Sequence, residues 1–222
     1  MQVFRFVEND MMLKRIIIAD DHMLFVEALR SLLAPHYEIV GTVSDGRALL
    51  AMAPKLKPDI VLIDVAMPLL NGLEASRQLR AILPGIKIIF ITQNPDVDLA
   101  SDAMRQGASG YLLKQSSGSE LFTAIKSALR GKTFVSPVIA RSMEKAFIQD
   151  PHRQCVDKSL TPRQREVVQL LAEGKSMKEA ANILNVTPRT ISFHKYCVMA
   201  NWGLGSTAEL VQFAIKNHLS VS

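Results

Sequence analysis

Cysteine is scarce in this chain of 222 residues, with only Cys155 and Cys197 present. Two thiols cannot build a disulfide framework, so a reducing compartment is the default expectation. Long apolar runs are missing too: none approaches the roughly 18 residues that suggest a membrane span. The opening segment, MQVFRFVENDMM, carries acids where a signal peptide would carry its apolar stretch. These absences exclude a disulfide-stapled secreted domain and a spanning helix. They leave a soluble, cytoplasmic protein with no membrane partner as the expectation. Roughly the first ten residues read as a loose extension, because a strand pattern begins only at Leu13.

The first 130 residues also lack net charge, with 14 Lys plus Arg against 14 Asp plus Glu. The remainder has 12 against 7, so the formal excess of +5 lies wholly in the C-terminal part. A basic segment behind a neutral one suggests a polyanionic partner for the basic segment. The length suits two domains, and the 48% hydrophobic content lets each bury a core.

What is present is alternation. LKRIIIAD, YEIVGTV, DIVLIDV, IKIIFIT and GYLLK are short apolar runs rich in β-branched residues. Between them lie segments with apolar residues at helical spacing: Leu24 to Leu33, Gly46 to Ala53 (stopping near Pro54), Gly72 to Leu83, Asp96 to Gln106 and Ser119 to Arg130. Five such units predict an α/β fold, a five-stranded doubly wound parallel sheet with helices on both faces. Chemistry in such folds collects at the carboxyl ends of the strands.

That edge is where the unusual residues fall. Asp20 and Asp21 end the first run, Asp64 stands near the end of the third, Thr92 ends the fourth and Lys114 ends the fifth. Each acid alone is as readily a cap or turn residue. Together they place three carboxylates, a hydroxyl and an ammonium at one edge. Crowded carboxylates repel, and a hard divalent cation such as Mg²⁺ relieves that repulsion. The set suits phosphoryl transfer onto a carboxylate, with donors placed to hold the arriving oxygens.

After Gly131 the strand signal stops. Ser136 to Ile148 predicts a linker helix with Ser136 and Pro137 at its start, and Asp150 to Lys158 a flexible connection. From Ser159 the pattern is helical. Thr161-Pro162, Ser176, Thr187-Pro188 and Ser206-Thr207 each open a helix, and Gly174 closes the first.

The segments IIIADDH, VLIDVAMPLLNGLEA, IIFIT and GASGYLLK resemble the receiver domain of two-component response regulators. LTPRQREVVQLLAEGKSMKEAANILNVTPRTISFHKYCVMANWGL resembles a LuxR-type helix-turn-helix. Their combination resembles the NarL/FixJ group. The resemblance implies a receiver over residues 12–132, a partly helical linker over 133–157 and a DNA-binding domain over 158–222. It makes Asp64 the phosphoacceptor. Asp21 would bind Mg²⁺ directly, Asp20 would assist through water, and the Ala66 carbonyl would complete the ligands. Thr92 and Lys114 would contact the phosphoryl group. Tyr111 would be the switch aromatic that turns inward, while Pro68 and Gly72 shape the loop after Asp64. The implied partners are a sensor histidine kinase, double-stranded DNA and a second copy of the chain.

On the recognition helix, Ile191, His194 and Val198 share a core-facing stripe. The resemblance places Ser192, Phe193 and Tyr196 near base edges, with Lys178, Arg189, Thr190 and Lys195 near phosphates. The chain departs from the usual pattern at Ser192, where relatives commonly carry a charge. No Arg on this face offers bidentate guanine contact, so phosphate contacts are expected to dominate affinity. Trp202 is expected in the core, before the capping Gly203.

Other readings are weaker. His152 with Cys155 and His194 with Cys197 have the spacing of metal pairs, but spacing alone is a poor signal. A turnover phosphohydrolase needs an acid or base beside Asp64, and Ala66 has no side chain for that role, so no enzyme is expected. A phosphorylation-dependent adaptor whose helical domain does not bind DNA is the alternative.

Overall fold

The computed structural model describes residues 13–93, 95–149 and 160–219. The sheet-forming part runs β1 (Arg15–Ala19), α1 (Met23–Leu33), β2 (Glu38–Val43), α2 (Gly46–Leu56), β3 (Ile60–Ile63), α3 (Gly72–Ile82), β4 (Lys87–Thr92), α4 (Val97–Arg105), β5 (Gly110–Leu113), α5 (Gly118–Leu129) and β6 (Phe134–Val135). The strand order is β2-β1-β3-β4-β5-β6, and every pairing is parallel.

Successive strand residues point to opposite faces, so a strand covered on both faces must be apolar throughout. Ile17, Ala19, Val61, Ile63, Ile88 and Phe90 pack on one face with residues of α2, α3 and α4. Ile16, Ile18, Ile60, Leu62, Ile89 and Ile91 pack on the other with residues of α1 and α5. Burying each such side chain contributes roughly 1.5–3 kcal/mol relative to leaving it in water.

Two expectations need correction. The sheet has six strands, not five: β6 adds a parallel edge to β5, through Phe134 N–H donating to Ser109 O at 3.1 Å and Ser136 N–H to Tyr111 O at 2.9 Å. Two residues are too few to show any periodicity in sequence. Helix α2 also does not stop before Pro54 but includes it and continues to Leu56. The proline lies in the last turn, and the helix ends one residue beyond Leu56, where Lys57 takes a left-handed φ of 44°.

The predicted linker helix is α6 (Pro137–Gln149). The connection expected over Asp150 to Lys158 and the N-terminal extension lie outside the described residues. The helical part comprises α7 (Pro162–Ala172), α8 (Met177–Leu184), α9 (Pro188–Trp202) and α10 (Thr207–Lys216). Thr161 and Ser176 each form a full capping box, and Thr187 and Ser206 cap the next two helices. Caps of this kind contribute about 1 kcal/mol each and fix where a helix begins. Two small clusters make the core: Leu160, Val168, Val198, Leu210, Ala214 and Leu219 form one, and Val167, Leu170, Ala180, Ala181, Leu184 and Ile191 the other. Trp202 packs beside the first of these, against Phe213 at 5.4 Å.

Candidate functional site

The parallel register brings the ends of β1, β3 and β5 together. Asp64 N–H donates to Ala19 O at 2.8 Å, and Lys114 N–H to Thr92 O at 2.7 Å. The edge thus carries Asp20, Asp64 and Thr92, all buried, with Lys114 over them. The Lys114 ammonium lies 2.8 Å from Asp20 Oδ2 and 2.7 Å from Asp64 Oδ2. It also stands 5.0 Å from the Phe25 ring centroid. Ligand atoms of Asp20, Asp21, His22 and Asp64 all fall within 4.8 Å of one another.

Two observations fit this cluster to a small divalent cation. The donor set is mainly carboxylate oxygen, the chemistry that Mg²⁺ prefers. Asp21 Oδ1 is buried beside His22 Nδ1 at 3.0 Å, so this acceptor faces into the cluster. The Lys114 ammonium holds together the negative charges that such an ion would neutralise.

His22 was not singled out in sequence, although it directly follows the acid pair. Its Nδ1 sits 3.1 Å from Asp20 Oδ1, 3.0 Å from Asp21 Oδ1 and 3.1 Å from Lys114 Nζ. Its backbone N–H donates to Asp20 Oδ1 at 2.8 Å.

Desolvation raises the Asp64 carboxyl above the usual carboxylate range, and nearby Asp20 adds to that; the Lys114 ammonium and the Ala66 N–H oppose it. Ala66 N–H donates to Asp64 Oδ1 at 3.2 Å. The loop after Asp64 turns tightly enough to need glycine at position 72. A Cβ there would lie 2.0 Å from the Asp64 carbonyl oxygen.

Tyr111 is wholly buried and packs on Phe90, with ring centroids 6.3 Å apart. Its hydroxyl has no hydrogen-bond partner among the described residues, and burial raises its pKa well above the ordinary phenol range. The ring lies inward, within the core cluster on this face of the sheet.

The recognition helix α9 is open on one face. Phe193 is 63% and Tyr196 58% exposed, and with Arg189, Ser192, Cys197 and Ala200 they line a shallow groove. Arg189 and Lys178 are exposed. Ile191 and Val198 are buried and His194 partly so, as the stripe predicts. Two residues expected at phosphates are engaged elsewhere: Lys195 Nζ donates to Thr207 Oγ1 at 2.8 Å, and Thr190 Oγ1 pairs with the cap hydroxyl of Thr187 at 3.0 Å. Among the described residues the one group of three or more candidate metal ligands is that at Asp20, Asp21, His22 and Asp64. His194 and Cys197 are not part of it, and His152 and Cys155 lie outside the described residues.

A third feature has no signature in the amino-acid pattern. Gln169 and Glu173, on and just after α7, hydrogen-bond to the backbone of the loop between β3 and α3.

Comparison with known proteins agrees with these observations. Residues 16–126 match the response regulator receiver domain, and residues 158–214 match the LuxR family of bacterial regulatory proteins. The oxygen regulatory protein NreC of Staphylococcus aureus (strain JH9) is 32% identical over 213 residues, covering 92% of this chain and 98% of its own. The RcsB response regulator of Salmonella typhimurium superposes with a TM-score of 0.64 at 26% identity, covering 95% of this chain and 100% of RcsB. A structure of the RcsB–DNA complex gives a TM-score of 0.58 at 29% identity, covering 95% of this chain and 100% of that one. The chain belongs to the two-component response regulators of the NarL/FixJ type, a receiver domain joined to a LuxR-type helix-turn-helix DNA-binding domain.

Proposed function

We propose that Asp64 accepts a phosphoryl group from a sensor histidine kinase in the cytoplasm, and that this modification controls homodimerisation and the binding of double-stranded DNA. The observation that carries this reading is the Lys114 ammonium, bonded at once to Asp20 and Asp64 at the edge of the sheet. It marks where cationic charge is wanted and which carboxylate faces it. An Asp64 carboxylate oxygen attacks the phosphorus of a phosphoimidazole; a P–O bond forms, the P–N bond breaks and its electron pair returns to the imidazole nitrogen. Asp20, Asp21, Asp64 and the Ala66 carbonyl would hold Mg²⁺, which supplies charge neutralisation for the transferring oxygens. Lys114 and Thr92 donate to those oxygens once in place. No turnover of a free substrate is part of this reading, because no acid or base side chain stands at Ala66 to activate water.

Residues 12–132 form the receiver and residues 158–222 the DNA-binding domain, joined by the linker over 133–157. Arg189 and Lys178 meet phosphates. Phe193 and Tyr196 reach base edges, the first against a thymine methyl and the second through one hydrogen bond. Ser192 lies beside them. Lys195 and Thr190 serve the DNA face only by giving up their present partners. RcsB, seen on DNA, supports this use of the fold.

Sedimentation of the chain with and without beryllofluoride, with Asp64→Asn as control, tests the first half. Mass should rise on addition for the parent only; an unchanged mass counts against it. A mobility shift on duplex DNA tests the second half. Binding should fall steeply with salt, whereas binding indifferent to salt would favour a protein-binding role.

A further inference from the structure

Helices that read bases commonly do so with Arg, Lys, Asn or Gln. The outward stripe of α9 carries another chemistry. Arg189, Ser192, Phe193, Tyr196, Cys197 and Ala200 fall at the spacings of one helix face and together line a shallow groove. Arg189 stands at its N-terminal end. Beyond Arg189 the lining residues offer two hydroxyls, those of Ser192 and Tyr196, and no charged or amide side chain. The rest of the lining is the Phe193 ring, the Tyr196 ring, Cys197 and Ala200. Both rings are largely exposed, yet neither hangs free. The Phe193 ring packs edge-on against His194, with centroids 5.5 Å apart. The Lys195 ammonium stands 5.7 Å from the Tyr196 ring centroid and is itself tied to Thr207 Oγ1 of α10 at 2.8 Å. Exposed apolar side chains braced in this way lose little freedom when a partner covers them.

On the major-groove edge of DNA one group is apolar, the C5 methyl of thymine. Guanine presents two acceptors there, and cytosine an amino donor. Laid against phenyl, thiol and methyl groups, those polar atoms would lose their water and gain no partner. A C5 methyl in the same place has no hydrogen bond to lose and leaves water favourably. The Ser192 and Tyr196 hydroxyls remain for the polar atoms of the paired purine. We propose that the stripe of α9 is a methyl-reading surface, set for the C5 methyl of pyrimidines in duplex DNA. This rests on the reading of α9 as the helix that enters the major groove. Thymine satisfies the surface. So does 5-methylcytosine, which carries the same methyl on the same ring atom. Cytosine and uracil lack it and bind more weakly. DNA binding by this chain therefore senses cytosine methylation wherever a site places cytosine against Phe193 or Tyr196. Arg189 takes no part in that choice, because phosphates are alike beside every base.

The test uses the full chain with beryllofluoride present, and an operator selected from a random duplex pool. Deoxyuridine replaces thymine one position at a time, which removes the methyl and keeps the base pair. At one or two positions in each half-site, affinity should fall roughly fourfold, the worth of one buried methyl. At those positions a C·G pair should bind more weakly than T·A, and 5-methylcytosine in that pair should recover roughly fourfold. Phe193 and Tyr196 are exposed, so replacing either with alanine spares the core. Phe193→Ala should bring the thymine-to-uracil ratio near one at the position it covers, and Tyr196→Ala should do so at its own. Arg189→Ala should weaken every duplex and leave the ratios as they are. A ratio near one at every position in the parent, ratios unchanged in both aromatic variants, or no gain from 5-methylcytosine overturns methyl reading. A parent chain that binds no duplex at all overturns the DNA-binding reading instead.

Discussion

At the scale of single residues, the site depends on groups with almost no freedom. Gly72 is the sharpest case, since any side chain there meets the Asp64 carbonyl, a backbone atom that cannot swing aside. Gly72→Ala should destabilise the receiver by roughly 1–3 kcal/mol, the cost typical of overpacking. Denaturant unfolding checks this, and a change below about 0.5 kcal/mol would mean that the loop can open without penalty. Tyr111 makes the opposite case. Its hydroxyl is buried without a partner, and a lone buried polar atom costs about 1–3 kcal/mol of desolvation. Tyr111→Phe should thus leave stability equal or raise it by about 1 kcal/mol. A clear loss in the same assay would show that the hydroxyl holds a bond. The three acids, Thr92 and Lys114 were legible in sequence because each ends an apolar run, and parallel strands align their ends. His22 went unread since one imidazole beside two acids forms no pattern of its own.

At the scale of elements, α9 must pack by one stripe and read DNA by another. His194 lies between the two, with Phe193 against its ring at 5.5 Å. Burial lowers its pKa, and the Arg163 charge lowers it further. A histidine whose folded pKa is depressed favours the folded state while neutral, and that advantage fades as pH falls through the ordinary histidine value. The chain should therefore lose stability as pH drops from neutral toward the folded-state value. His194→Gln should flatten that part of the profile, followed by thermal melts at stepped pH; a parallel decline in both proteins would remove His194 as the cause. Arg189, exposed at the first turn of α9, should act only on phosphates. Arg189→Ala is expected to weaken all duplexes alike and reduce the slope of log affinity against log salt by about 1. Helix starts were readable because Ser and Thr caps announce them. The two-residue β6 was not, and Pro54 suggested an end one turn too early.

At the scale of the whole molecule, the two domains meet through side chains bonding to backbone. Gln169 reaches Met67 and Asn71, about a hundred positions away. A glutamine bonded to peptide groups leaves no matching residue for a sequence to display, so domain identity could be read and domain docking could not. His218 Nε2, 2.8 Å from Asp96 Oδ2, adds a second tie between α10 and the start of α4. Glu166 is nearly buried between Gln78, Arg47 and Arg163, and interfaces of this polar kind are readily separated. Glu166→Leu should strand those donors and loosen the docking, seen as a larger radius of gyration in solution scattering. An unchanged radius would place the weight of docking on Leu69 and Gln169.

The aromatic face of α9 stays uncovered while α7 is held. A regulator built this way would present its reading head with the two domains still docked. Such a chain would sample duplex DNA without first separating its domains, sliding on phosphate contacts. Its signal would then govern how long it lingers at an operator, and with how many copies, rather than whether it can touch DNA at all.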